Sequence, residues 1–393
     1  MGEWPRLSVQ DLQDSGAILV EDGNHGEYRP RPNEFTTSGF AFVRAADMDA
    51  GRVKFDSISK INDIALGRIR KGIGHPNDVL LSHKGTVGKV AWVESSAPAF
   101  VCSPQTTFYR SLDTERLDAK YLFFFLQSPE FQNQLKSRQG ETDMAPYVSL
   151  TEQRRLRLAL PPLSEQRAIA DVLGALDDKI EANHRIETAS WSLAKAQFDV
   201  LTAEPDEFEP LGSVLSLAYG KSLTAGSRVP GTTPVYGSGG VVGWHNKPLA
   251  SGPGVIVGRK GTAGAVHWCQ TGFFAIDTTF YVENPVVPML FAYFLLRSLG
   301  LDHMNSDSAV PGLNRSAALG RLVPLPPESS LAEFSRSAEP LVEAADSARR
   351  ENQILIALRD ALLPKLLSGE LRVRDVEALV EENDARILVD NTR

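Results

Sequence analysis

Much of this chain is written twice, and a duplication on that scale constrains the fold more than any single motif in it. His83-Lys84-Gly85-Thr86-Val87-Gly88-Lys89-Val90-Ala91-Trp92 returns as Arg259-Lys260-Gly261-Thr262-Ala263-Gly264-Ala265-Val266-His267-Trp268. Gln105-Thr106-Thr107-Phe108-Tyr109 is echoed by Asp277-Thr278-Thr279-Phe280-Tyr281, and the apolar stretch from Tyr121 to Ser128 by Phe291 to Ser298. Leu160-Pro161-Pro162 then reappears as Leu325-Pro326-Pro327. The spacing between matched residues shrinks along the chain, as small loop deletions in the second copy would make it do. The repeat is a whole domain, far longer than the roughly 20–50 residues of a solenoid unit. Two similar domains in one chain suit a protein that grips something two-sided.

The segment after each Pro-Pro pair reads as a long helix. Between Ser164 and Ala203 there is no proline and a single glycine, Gly174. Ile169, Leu173, Leu176 and Ile180 step by four, three and four, the spacing of a coiled-coil seam. Ser164 is placed to cap the helix, and Glu165 complements the positive end of its dipole. After the second pair, Leu331, Phe334, Ala338, Leu341, Ala345, Ala348, Asn352 and Leu355 again step in threes and fours, followed by Leu358 and Leu362. Pro364 is expected to kink or end this helix, with Gly369 as its last C-cap candidate. The seams are narrow and flanked by charge, which favours pairing of the two helices over packing of each on its own domain. Asn183 and Asn352 interrupt the two seams near their middles, with the aliphatics Ile186 and Leu355 three residues on. In an antiparallel pair these asparagines come to the same level, within about one turn or roughly 5 Å. A buried polar pair there fixes register at some cost in stability.

At 393 residues and 42% hydrophobic content the chain can bury two cores of ordinary domain size. The net charge of −8 is unevenly spread: residues 163–207 and 328–393 carry the acidic excess, residues 1–162 are balanced and residues 208–327 slightly basic. Near-neutral globular domains can still present a basic face to phosphates, whereas acidic helices are held off nucleic acid or covered by another protein. So modest a positive charge implies that part of any DNA affinity comes from partner subunits. Cys102 and Cys269 lie at unrelated places in the two copies and in no metal-ligand spacing, which reads as buried free thiols in a reducing compartment. The first residues lack a basic and then apolar signal region, and the apolar run from Tyr121 to Leu126 is too short to span a membrane, so the expectation is a cytoplasmic protein with no membrane partner.

The repeated Lys-Gly-Thr-x-Gly element carries the main chemical signal. It lies between apolar segments in both copies, Val79-Leu80-Leu81 and Val90-Ala91-Trp92-Val93, then Val255-Ile256-Val257 and Ala265-Val266-His267-Trp268, the pattern of a β-hairpin. It is not a phosphate-binding P-loop, which needs Gly-x-x-x-x-Gly-Lys-Ser/Thr opening a helix. The tip offers a lysine, a threonine hydroxyl and glycines that let backbone approach a ligand closely, suitable contacts for DNA phosphates or base edges. The alternative is a turn whose glycines only satisfy backbone geometry. Geometry does not require the Lys and Thr, yet both copies keep them.

The ordered series of motifs resembles one known family. Tyr219-Gly220-Lys221-Ser222-Leu223, Pro234-Val235-Tyr236-Gly237-Ser238-Gly239-Gly240, Gly258 to Gly264, and the Leu-Pro-Pro-Leu-Ser-Glu-Gln-Arg run from Leu160 to Arg167 are similar to segments of the specificity subunit of type I restriction-modification enzymes. So are Asp22-Gly23-Asn24-His25-Gly26 and Leu366-Leu367-Ser368-Gly369-Glu370-Leu371, and together the segments span nearly the whole chain. Two departures stand out. The second helix begins Pro326-Pro327-Glu328-Ser329-Ser330-Leu331 without Glu-Gln-Arg, and the first domain lacks the Tyr-Gly-Ser-Gly run. The differences imply that the two domains read different sequences.

The resemblance implies an α+β chain: a target-recognition domain at 1–162, a spacer helix at 163–207, a second recognition domain at 208–327, and a distal helix with a tail at 328–393. The two helices are expected to pair as an antiparallel coiled coil through Ile169, Leu173, Leu176, Ile180, Asn183 and Ile186 on one side and Leu341, Asn352, Leu355 and Leu358 on the other. It implies a non-catalytic subunit that binds double-stranded DNA, one half of a bipartite asymmetric site per domain. Two modification subunits carrying S-adenosylmethionine dock on the helices and methylate adenine, and two restriction subunits supply the ATP- and Mg-dependent translocase and nuclease. This chain binds no cofactor itself. The sequence agrees by omission: it holds no Asn/Asp-Pro-Pro-Tyr/Phe methyl-transfer tetrad, no Gly-x-Gly cofactor loop between a strand and a helix, no Walker motif and no nuclease carboxylate-Lys cluster.

These motifs supply the candidate DNA contacts. At the hairpin tips they are Lys84, Gly85, Thr86, Gly88 and Lys89, and Arg259, Lys260, Gly261, Thr262 and Gly264. Asn24 and His25 lie on an early loop where His25 either contacts a base or stabilises the loop. Lys221, Tyr236 and Ser238 lie in the second-domain motifs; Tyr236 either reaches DNA or is a packed aromatic. Gln105 with Thr106 and Asp277 with Thr278 stand at matched positions where an amide in one copy and a carboxylate in the other would read different base edges, although a threonine there also serves as a buried strand former. Asn314 and Arg315 match Ser149 and Leu150 on a loop, where Arg315 either touches DNA or is a solvated loop residue.

Two other classes fit parts of the pattern. A scaffold that oligomerises through its helices explains the seams but not the repeated hairpins, and would assemble without preference for DNA. A nucleotide-binding enzyme of two fused domains explains the glycine-rich turns, and would be stabilised by a nucleotide without any partner. A third reading stays close to the main one: the recognition subunit of a related bifunctional restriction system, which differs in its partner enzyme.

Overall fold

The computed structural model describes residues 4–23, 25–140, 145–205, 207–304 and 312–374. The chain divides into two compact units, one formed by Met1–Lys179 with Leu355–Arg393 and the other by Ile180–Ile354. The division crosses the long helices: each unit holds one globular region and one part of each helix.

The two globular regions repeat one topology. In the first, Arg6–Ser8 pairs antiparallel with Arg157–Ala159, and a mixed sheet has the order Ile18–Asp22, Thr106–Ser111, Val79–Ser82, Val90–Trp92, Arg52–Val53, Met48–Asp49. In the second, Phe208–Pro210 pairs with Leu322–Pro324, and the sheet order is Ser216–Tyr219, Thr279–Glu283, Gly254–Gly258, Val266–Cys269. A further sheet in each unit contains a parallel pair, Phe40–Val43 with Phe100–Cys102 and Thr233–Gly237 with Phe274–Ala275. The duplicated apolar stretches are helices, Ala119–Gln127 and Met289–Ser298, buried nearly all round, which is why they read as unbroken apolar runs. Asp118 starts the first by accepting the Tyr121 N–H at 2.8 Å.

One correspondence expected from the sequence is off by a residue. Thr106 stands opposite Ser82, but in the second unit Thr279, not Thr278, stands opposite the equivalent Gly258. The hydroxyls agree: Thr106 Oγ1 donates to the carbonyl of Ser103 at 3.0 Å and Thr279 Oγ1 to that of Ile276 at 2.7 Å. Gln105 therefore corresponds to Thr278, not to Asp277. Because side chains alternate along a strand, the slip turns the identical Thr-Thr-Phe-Tyr strings to opposite faces. Phe108 packs with Phe100 and Val93, whereas Phe280 enters the core that contains Phe291 and Phe294.

The long helices span Leu163–Leu201 and Glu328–Ser368. They pair antiparallel in both units. In the first unit Asp177 Oδ1 meets Arg359 Nη1 at 2.9 Å and Glu165 meets Arg372 at 3.8 Å; in the second, Asn183 Nδ2 donates to Glu351 at 2.7 Å, Asn352 Nδ2 to the carbonyl of Ile180 at 3.0 Å, and Ser337 Oγ to Gln197 at 3.1 Å. Ile169 and Leu173 are fully buried, Leu176, Ile180, Leu341, Asn352 and Leu355 partly so, and Asn183 is 1% exposed. Ile186 and Leu358 lie outside the seam, at 45% and 44% exposure. The alternation of threes and fours runs on through Asn183, Glu187 and Ser190 and through Asn352, Leu355 and Arg359, so the expected residues are one position early. Arg359, in the place assigned to Leu358, binds Asp177. Nor does Pro364 end the distal helix. One lost hydrogen bond is outweighed by burial of Leu363, Leu366 and Leu367, and the helix stops at Gly369, whose φ of +76° suits glycine.

This seam sets an expectation for stability. Leu173→Ala should cost about 2–5 kcal/mol, while Ile186→Ala and Leu358→Ala should stay within about 0.5 kcal/mol. Urea unfolding of the three variants checks it, and a large loss from either exposed position would return Ile186 or Leu358 to the seam.

Candidate nucleic-acid interface

The Lys-Gly-Thr-x-Gly elements form equivalent turns in both units, between Val79–Ser82 and Val90–Trp92 and between Gly254–Gly258 and Val266–Cys269. Their glycines serve the backbone: Gly85, Gly88, Gly261 and Gly264 all have positive φ, and a Cβ on Gly264 would lie 2.3 Å from backbone atoms of Leu301 and Asp302. The lysines and threonines do something else. Lys84, Thr86, Lys260 and Thr262 are exposed at the tips. Each turn is braced from the same side, by Gly85 N–H to the Pro146 carbonyl at 2.9 Å and by Leu313 N–H to the Arg259 carbonyl at 2.9 Å.

Lys89 behaves differently from Lys84. Its ammonium donates to the carbonyls of Ala45 and Met48 at 3.1 and 2.9 Å, so it holds the neighbouring loop and is not free for a phosphate. Thr106 is also internal, with no exposed surface and its hydroxyl on the carbonyls of Val43 and Ser103. His25 is buried, with Nε2 2.8 Å from the Cys102 carbonyl oxygen and its pKa lowered by burial, so the loop-stabilising alternative describes it. Asn24 lies outside the described residues. Gln105 is exposed, its amide 3.6 Å from the place a Cβ on Gly85 would take, which puts it beside Lys84 and Thr86.

In the second unit more groups converge. The Tyr-Gly-Ser-Gly turn lies against the Lys260 turn: Ser238 Oγ donates to the carbonyls of Lys260 and Thr278, and Thr262 Oγ1 is 3.5 Å from the Cβ position of Gly239. Ser238 is thus a brace, only 7% exposed. Tyr236 is the packed aromatic of the two alternatives, edge-on to Phe273 and beside His267, and burial raises its phenol pKa. Asn314 caps the helix Arg315–Leu319 by accepting the Ala317 N–H at 3.0 Å. Lys221 and Asp277 are exposed and Thr278 is half-buried. Arg259 and Arg315 place their guanidiniums 5.1 and 5.5 Å from the ring centre of Tyr219, itself 53% exposed. Tyr219, as the platform for two arginines, was not foreseen. Its separation from Arg259 and Arg315 along the chain hides the stack.

The roots of the two turns differ in chemistry. Where the second unit has Arg259, the first has His83, 2% exposed, with Nδ1 2.8 Å from Thr107 Oγ1. Gln153 Nε2 donates to the same hydroxyl at 3.1 Å, and Tyr109 donates to Gln153 Oε1 at 3.0 Å. Phe280, Ala318 and Val282 take the corresponding places in the second unit. Burial pushes the His83 pKa down to about 4. Among the described residues no group of three or more His, Cys, Asp or Glu is placed to hold a metal, and no helix is long and apolar enough to cross a membrane.

A family model described as the type I restriction modification DNA specificity domain matches residues 14–189. The chain is 23% identical over 347 residues to the type I restriction enzyme MjaIX specificity subunit of Methanocaldococcus jannaschii, across 76% of this chain and 78% of that one. It is 21% identical over 188 residues to the MjaVIII specificity subunit of the same organism, across 47% and 41%. In fold it is similar to the S subunit of the type I restriction-modification system from M. genitalium, with a TM-score of 0.70 at 19% identity over 92% of this chain and 96% of that one.

His83 gives this region a pH signature. With a folded pKa near 4 against about 6.5 unfolded, the unfolded chain takes the proton first, so this share of stability is whole above pH 6.5 and is lost as pH falls towards 4. From pH 7 to pH 5 it amounts to about 2 kcal/mol. Urea titrations at both pH values should show His83→Gln with a correspondingly weaker pH dependence than the parent, and equal dependence in both proteins would remove His83 from the account.

Proposed function

Because the chain matches the specificity-subunit family of type I restriction-modification systems in family model, sequence relatives and fold, we propose that it is the DNA-reading subunit of such a complex. Each unit reads one half of a bipartite double-stranded site. The observation that carries this reading is the pair of equivalent turns that expose Lys84 with Thr86 and Lys260 with Thr262 while their glycines are taken up by backbone geometry. Lysines suit phosphates, and hydroxyls and amides such as Thr86, Thr262 and Gln105 suit phosphates or base edges. The different roots of the two turns support two different half-sites. Modification subunits that hold S-adenosylmethionine dock on the helices, whose exposed aliphatics Leu193, Val200, Ile354 and Ile356 offer apolar surface. Restriction subunits using ATP and Mg complete the complex in the cytoplasm. This chain contributes recognition and spacing, and no catalysis.

Lys84→Ala and Lys260→Ala should each weaken DNA binding by the assembled complex and lower the slope of log affinity against log salt by about one. Unchanged affinity and slope in both would reduce the turns to structural elements. Exchanging residues 208–327 for those of a relative should alter one half of the methylated sequence only. Adenine-methylation mapping decides this, and a change in both halves or in neither would defeat the division of labour.

A further inference from the structure

Arg259 is held in a way that Lys260 and Lys84 are not. Its guanidinium lies over the ring of Tyr219 at 5.1 Å and near that of Phe280 at 6.0 Å, and Nη1 donates to the Asp277 carbonyl at 2.9 Å. Two ring contacts and one hydrogen bond hold the group in place. The edge formed by Nε and Nη2 makes no hydrogen bond to any described residue, so two parallel donors are left in a set orientation. That edge belongs to the residue immediately before the exposed Lys260, at the root of the turn. An ordered guanidinium edge matches two kinds of acceptor, the O6 and N7 of guanine in the major groove and a phosphate.

The surroundings favour the base. A phosphate accepts a point charge from many directions, which Lys260 already supplies, whereas a base edge needs a donor pair whose direction is fixed in advance. The exposed carboxylate of Asp277, on the residue whose carbonyl anchors Arg259, works against a second anion there. The first unit has no counterpart: His83 fills the position, buried and bonded to Thr107. We propose that Arg259 is the base-reading residue of the second unit and takes a guanine in its half-site, with Tyr219 and the Asp277 carbonyl as positioning groups.

The proposal rests on the reading that each unit reads DNA, and one experiment separates the two. The full chain, assembled with its modification subunits, selects from a library of random duplexes, and the bound pool is sequenced. The parent should enrich a bipartite site with a guanine in the half assigned to residues 208–327. Arg259→Gln should lose preference at that position by roughly 5- to 150-fold and leave every other position as it was. Arg259→Lys, which keeps the charge and removes the fork, should lose the same preference at unchanged salt slope, and its milder change keeps the test decisive if the glutamine variant folds poorly. Affinity falling evenly over all sequences in either variant, with the preference at that position kept, would make Arg259 a phosphate contact and overturn the proposal while leaving the DNA-reading function standing. No sequence enriched by the parent would remove both.

Discussion

Burial of the helix seams inside the globular cores is the interaction on which the rest of the structure depends. Ile169 and Leu173 of the central helix and Leu363, Leu366 and Leu367 of the distal helix share one core with Val79, Val90 and Phe124. Ala194 and Phe198 with Leu331, Phe334, Ala338 and Val342 do the same around Val255 and Phe291. Each fully buried leucine or phenylalanine contributes about 1.5–3 kcal/mol. An exposed ion pair contributes less than about 1 kcal/mol. The apolar seam therefore provides the attachment, and its polar members select the register: Asn183 and Asn352 reach across to Glu351 and Ile180, and Arg359 to Asp177. A slip by one turn would bury these groups without partners, which costs more than the bonds themselves contribute.

With the frame fixed, the two turns can share a backbone and differ in what supports them. In the first unit a chain of neutral hydrogen bonds runs from His83 through Thr107 and Gln153 to Tyr109, all buried. In the second, an aromatic stack with two guanidiniums stands in the same place, part of it on the surface. The strand slip at Thr-Thr-Phe-Tyr makes this possible, because it puts Thr107 in one copy where Phe280 sits in the other.

The duplication, the hairpins and the paired long helices were legible in the sequence because each rests on spacing, which a single chain displays directly. The slip was not. Identical residues invite alignment, and only the partners of Ser82 and Gly258 show that Thr106 matches Thr279. The seam departs from hydrophobicity at Ile186 and Leu358 for a related reason: both aliphatics stand one position before the period, which runs on through Glu187 and Arg359. Among the candidate contacts, Lys84, Gln105, Lys221, Lys260 and Asp277 lie on the surface. Lys89, Thr106, His25, Tyr236 and Ser238 are engaged inside by carbonyls or rings distant in sequence, partners that no local pattern announces.

The second unit is built from one continuous stretch, Ile180–Ile354, whereas the first takes in residues from both sides of it. On a ribosome this sets an order. The second unit can close once its own stretch has emerged, but Ile169 and Leu173 must wait for Leu363, Leu366 and Leu367. At about 5–20 residues per second the delay between Lys179 and those leucines is roughly 10–40 s. For that interval the unfinished first core leaves an apolar seam facing solvent while the second unit is already complete.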